Sequence, residues 1–77
     1  MTICLMLSKD KLGQAIGKKL KIARENADLS QEDLAYRAGF YRTYIGHIEV
    51  GRYMPSAFTL YKIAKALKIS SSDLLPF

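Results

Sequence analysis

The residues with the most chemistry to offer stand in the stretch from Gln31 to Arg52. If Arg42 to Val50 form a helix, the positions that cannot face a core are Arg42, Thr43, Gly46 and His47. An arginine so placed can donate two parallel hydrogen bonds to a guanine edge, and a threonine can bond a base or touch a thymine methyl. Gly46 carries no side chain, so the helix backbone can come close to a groove. Gln31 follows a helix cap, and a helix N-terminus attracts phosphate. Arg52, just past the helix, suits a phosphate as well. Two residues read either way. Tyr44 covers the side of a core or reaches a phosphate through its hydroxyl, and His47 is a solvated surface histidine or a base reader. No nucleophile–base pair, paired acids or phosphate loop accompanies them, so an enzyme is rejected.

These residues need rigid elements behind them, and the pattern gives five short helices and no strand. The first is expected from Lys9 to Asn26 behind a Ser8 cap, with Ile16, Leu20 and Ala23 inward and Lys18, Lys19 and Lys21 outward. Gly13 and Gly17 weaken it by about 1 kcal/mol each relative to alanine, which points to close packing. Ser30-Gln-Glu-Asp33 has capping-box spacing and opens the second helix, which carries Leu34, Ala35 and Ala38 inward and stops at Gly39. Only Phe40 and Tyr41 separate it from the third helix, Arg42 to Val50, which ends at Gly51. Pro55 and Ser56 open a fourth, with Leu60, Ile63, Ala64 and Leu67 on its apolar side. Ser70 to Asp73 cap a last short helical turn, Asp73 to Leu75, closed by Pro76. The second and third helices meet at a sharp angle, with Ala35 small at the crossing and Gly39 at the turn.

Composition sets the frame. With 77 residues the chain holds one domain and a thin core, expected at residues 9–77 behind an apolar arm at residues 1–8. Lys plus Arg number 12 against 7 Asp plus Glu, a net charge of +5, which suits a polyanionic partner. The arm is too short to span a bilayer and lacks the basic start of a signal peptide, so no membrane is expected. The single cysteine, Cys4, cannot form an internal disulfide, nor a metal cluster with the single histidine, His47, and this fits a reducing cytoplasm. There is no room for a separate ligand domain, so neither small-molecule ligand nor cofactor is expected.

From residue 12 to 75 the chain resembles the Cro and lambda-repressor type of helix-turn-helix regulator, also called the xenobiotic-response-element type. The resemblance rests on Arg24, Leu29-Ser-Gln-Glu32, Leu34-Ala35, Ala38-Gly39, Ile45, Ile48-Glu49, Gly51, Pro55-Ser56 and Leu60-Tyr-Lys-Ile-Ala-Lys-Ala-Leu67. It implies an all-α, compact five-helix bundle whose third helix enters the major groove of double-stranded DNA. By position, Arg42, Thr43 and His47 would face base edges, while Gln31, Tyr44 and Arg52 would lie near the phosphate backbone. It also implies that Arg24 pairs with Glu49, which answers a difficulty, because Glu49 falls among inward residues and an unpaired buried carboxylate is costly. Arg42-Thr-Tyr-Ile45, Gly46 and Ile48-Glu49 resemble the recognition helix of controller proteins of restriction–modification systems. The chain departs from those at Val50, at Tyr53-Met-Pro55, and at Tyr41, where a short polar cap is usual.

One such unit reads too few base pairs for useful specificity, so a homodimer on a near-palindromic operator is expected, with half-sites roughly 34–36 Å apart. Apolar residues left over at the C-terminal end, Ile69, Leu75 and Phe77, are the expected interface, with Leu74 packed inside and the N-terminal arm as the competing contact. The rival readings are an antitoxin of a toxin–antitoxin pair and a protein–protein adaptor on the same bundle.

Overall fold

The computed structural model describes residues 8–77. The expected arm, including Cys4, lies outside the described residues except for Ser8. Four α-helices follow in order: α1 (Lys9–Asn26), α2 (Gln31–Ala38), α3 (Arg42–Glu49) and α4 (Ala57–Leu67). The described residues contain no strand.

Side-chain caps written in the sequence set where three of the helices start. Ser8 accepts from the Lys11 N–H at 3.2 Å, Ser30 from Asp33 at 3.0 Å and Ser56 from Thr59 at 3.1 Å. At α2 the Asp33 carboxylate returns the bond to the Ser30 N–H at 3.1 Å and completes the box. The α2–α3 turn is closed by Gly39, at φ 81°, with the Phe40 N–H on the Ala35 carbonyl at 2.8 Å.

The core is one cluster in which Leu20, Leu34, Ile45, Ile48, Ile63 and Leu74 are fully enclosed, one or more from each helix. Burial of each such side chain contributes about 1.5–3 kcal/mol. α3 packs on both α1 and α2, and α4 backs α2. Gly17 permits the α1–α3 contact, because a Cβ there would overlap the carbonyls of Ile48 and Glu49. Gly13 is different: its added Cβ would meet the Gly51 carbonyl at an ordinary 3.5 Å.

The expected fifth helix is a single 3-10 turn at Ser71–Asp73, not a helical turn at Asp73–Leu75, so the bundle has four α-helices and not five. Pro76 has no N–H to give and disfavours helical geometry at Leu75, which leaves only the residues before it to coil. They close through the Leu74 N–H on the Ser71 carbonyl at 2.9 Å, and this drives Leu74 into the core. α3 also ends one residue earlier than expected, at Glu49 with Val50 as its cap.

Candidate nucleic-acid interface

α3 is seated by three side chains. Ile45 and Ile48 are completely enclosed and Glu49 is buried beside them. Apart from Tyr44, the residues the helix does not bury face outward together. Gln31, Arg42, Thr43, Gly46, His47 and Arg52 line one shallow depression of about 290 Å³. Five of the six residues expected at DNA therefore share one surface, and Gly46 forms its floor against the Gln31 side chain. The sixth, Tyr44, is not among the residues lining it. Its ring lies 5.1 Å from that of Phe40, and its hydroxyl is 3.3 Å from that of Thr59 on α4. Val50, solvent-exposed and not among the residues expected at DNA, completes the rim. Tyr41 caps α3 without any side-chain hydrogen bond, so the first amides of α3 lack a side-chain acceptor from the cap.

Behind the depression lies a buried network. Arg24 Nε donates to Glu49 Oε2 at 2.6 Å and Nη2 to Oε1 at 3.2 Å, while Nη1 donates to the Leu29 carbonyl at 2.8 Å. Hydrogen bonding to Glu49 holds the Arg24 pKa above its ordinary value, against the opposing effect of burial. Gln31 joins the network through Nε2, which donates to Glu49 Oε1 at 3.0 Å. Sequence reasoning missed that bond, since residues 18 apart carry no local signal. Every buried side-chain polar atom among the described residues has a partner.

The C-terminus of α3 fixes the other end of the depression. Gly51 takes φ 83°, its N–H bonds the Ile48 carbonyl at 3.0 Å, and the Arg52 N–H bonds the His47 carbonyl at 2.8 Å. This pair of bonds is a Schellman closure. A side chain at Gly51 is barred twice, by φ and by the Gln14 backbone of α1 at 3.0 Å from its Cβ position. The closure brings Arg52 Nη1 to 3.0 Å from His47 Nδ1. The Tyr53 ring stands 4.9 Å from the imidazole. The motif Gly51-Arg52 was the available signal for this pair, because a glycine just past a helix places the next residue over the last turn.

The surface is rich in donors, with two guanidiniums, an amide, an imidazole and a hydroxyl. Among the described residues no group of three or more His, Cys, Asp or Glu side chains can hold a metal ion. No described helix is long and apolar enough to cross a membrane. Such a face fits an anionic, acceptor-rich ligand.

The helix-turn-helix family model HTH_3 matches residues 20–74, and the chain belongs to this family of transcriptional regulators. It is 35% identical over 60 residues to an uncharacterized HTH-type transcriptional regulator, y4dJ, of Sinorhizobium fredii, covering 78% of each chain. It is 38% identical over 65 residues to the control protein C.BamHI of Bacillus amyloliquefaciens, covering 84% of this chain and 76% of that one. Among solved structures it is similar to the restriction-modification controller protein C.AhdI from Aeromonas hydrophila, with a TM-score of 0.80 and 35% identity over 82% of this chain and 96% of that one.

Proposed function

We propose that this regulator works as a homodimer of the controller kind in the cytoplasm, setting expression from a near-palindromic operator that includes its own promoter. Arg42, Thr43 and His47 meet base edges, and Gln31 and Arg52 hold the phosphate backbone. Tyr44 instead braces α3 through its contact with Thr59. The observation that carries this reading is the single depression in which the exposed face of α3, the start of α2 and the residue after Gly51 gather their donors. Similarity to C.BamHI and C.AhdI favours the controller reading over an antitoxin or an adaptor.

The test is titration of the protein against the DNA upstream of its own gene and against shuffled DNA, at several salt concentrations. Binding to the upstream fragment is expected to be tighter and to weaken steeply with salt. Arg42→Ala is expected to cost about 1–3 kcal/mol on that fragment and to relax preference at one base pair. Equal affinity of Arg42→Ala and the parent would show that α3 is not the reading helix.

A further inference from the structure

We infer that Arg52 is a positioning residue for His47, locking its ring as the tautomer with the proton on Nε2, so that His47 offers DNA one donor and excludes cytosine. This rests on the DNA-reading role of α3 proposed above. The argument begins with what each group can do. A guanidinium only donates, so a nitrogen 3.0 Å from Arg52 Nη1 must accept. His47 Nδ1 therefore carries a lone pair, and the ring proton resides on Nε2. Nε2 makes no hydrogen bond to any described residue, and His47 lines the depression.

The lock is held by the backbone as well as by the side chain. The Arg52 N–H is bound to the carbonyl of His47 itself at 2.8 Å, so both ends of Arg52 are fastened to the same residue. Gly51, which cannot be replaced without strain or overlap with Gln14, sets that geometry. The Tyr53 ring, 4.9 Å away, packs against the imidazole and restrains its rotation. A guanidinium has five N–H groups, so Arg52 can hold Nδ1 and a phosphate together.

The consequence is a reading rule. In the major groove guanine and adenine show an acceptor at N7 and thymine one at O4, whereas cytosine shows only a donor. An Nε2–H donor thus accepts three bases on the strand it faces and rejects cytosine. Without the lock the imidazole is free to turn or to present its acceptor, and the rule is lost.

The experiment is selection of bound sites from a randomised operator by the parent, His47→Ala, Arg52→Gln and Arg52→Met. Gln and Met both remove the charge, but only Gln keeps a donor for Nδ1. His47→Ala should identify the base pair that His47 reads, by the loss of its bias against cytosine. Arg52→Met should lose about three- to ten-fold of that same bias. Arg52→Gln should retain it, although both variants weaken binding to all sequences. A long-range proton–nitrogen spectrum of the free protein reads the tautomer directly, since His47 is the single histidine. It should show the proton on Nε2. A proton on Nδ1, an unchanged bias in Arg52→Met, or equal losses in Arg52→Gln and Arg52→Met would overturn the inference. So would a His47→Ala variant with every preference intact, which leaves DNA reading by Arg42 standing. Absence of any selected sequence from the parent would instead remove the proposed function, while the spectrum still reports the ring.

Discussion

The Arg24 guanidinium meets Glu49 through two nitrogens and the Leu29 carbonyl through the third, and Glu49 receives Gln31 as well. The buried pair therefore joins α1 to α3 and reaches the rim of the α3 depression through one amide. Removing one partner strands a charge, so Arg24→Met or Glu49→Leu alone should cost about 3–5 kcal/mol. The double replacement should cost less than the sum, since neither charge remains and the half-buried Gln31 amide can turn to water. Denaturant melts of the two singles and the double measure the coupling, and circular dichroism ranks them if a single fails to fold. Strictly additive losses would show that the contact contributes no coupling. At this scale the residue types were legible and their connections only in part. Arg42, Thr43 and Arg52 announce themselves by charge, hydroxyl and position, and Arg24 with Glu49 came through the family resemblance. Gln31–Glu49 was not legible, because a contact between the start of one helix and the end of another depends on the angle at which they cross.

Helix starts were the most readable elements, because a serine cap is side-chain chemistry three residues long. Ser8, Ser30 and Ser56 all cap as their positions suggest. The fifth helix was misread, because capping spacing before Pro76 suits a 3-10 turn as well as an α-helix, and only packing of Leu74 decides. The two glycines of α1 show the same limit. Both sit in a helix at equal propensity cost, yet only Gly17 faces backbone too close for a methyl group. Gly13→Ala should then stabilise by up to about 1 kcal/mol, the ordinary propensity gain. Gly17→Ala should destabilise by about 1–3 kcal/mol, since the α1–α3 contact must open. Thermal melts of the two variants should move in opposite directions, and a shift of the same sign in both would refute the distinction. The α2 cap carries a pH dependence. Donation from the Ser30 backbone N–H holds the Asp33 carboxyl below its ordinary 3.8. A lowered folded value stabilises in full above the unfolded value and is lost as pH falls through the folded one. Stability should therefore fall with acid below about pH 4 in part through this cap. Asp33→Asn, which cannot titrate, should flatten that limb in melts from pH 6 to pH 2.

Specific reading by so small a molecule is a question of the whole particle, because a single unit contacts too few base pairs to stand out from the excess of other sites. Two copies related by a two-fold axis double the contacts and fix the half-site spacing at roughly one helical turn. An interface for the proposed homodimer has to leave the depression open, and none of the C-terminal residues lines it. Phe77 is 82% exposed and Leu75 half-buried, whereas Leu74 is enclosed in the core and Ile69, half-buried, packs against it, so Leu75 and Phe77 are what the core leaves over. A groove of about 460 Å³ opens at the C-terminal end of α4, where Ile22, Ala23, Leu67 and Ile69 line it together with Lys19, Asn26, Ala27 and Asp73. Ile22 is itself 57% exposed and adds apolar surface from α1 to that groove. Covering Leu75 and Phe77 across the axis would contribute about 1.5–3 kcal/mol for each side chain, and each is present twice. A variant lacking residues 76–77 and carrying Leu75→Ser should sediment as a monomer at concentrations where the parent is dimeric. It should keep its helical circular dichroism, since Leu74 and the rest of the core are untouched, and it should bind a half-site but lose cooperative binding to the full operator. A second variant lacking residues 1–7 should remain dimeric. The reverse pattern, a dimer without Leu75 and Phe77 and a monomer without the arm, would move the interface to the N-terminal segment. Sedimentation velocity on both, paired with titration of half and full sites, decides between them.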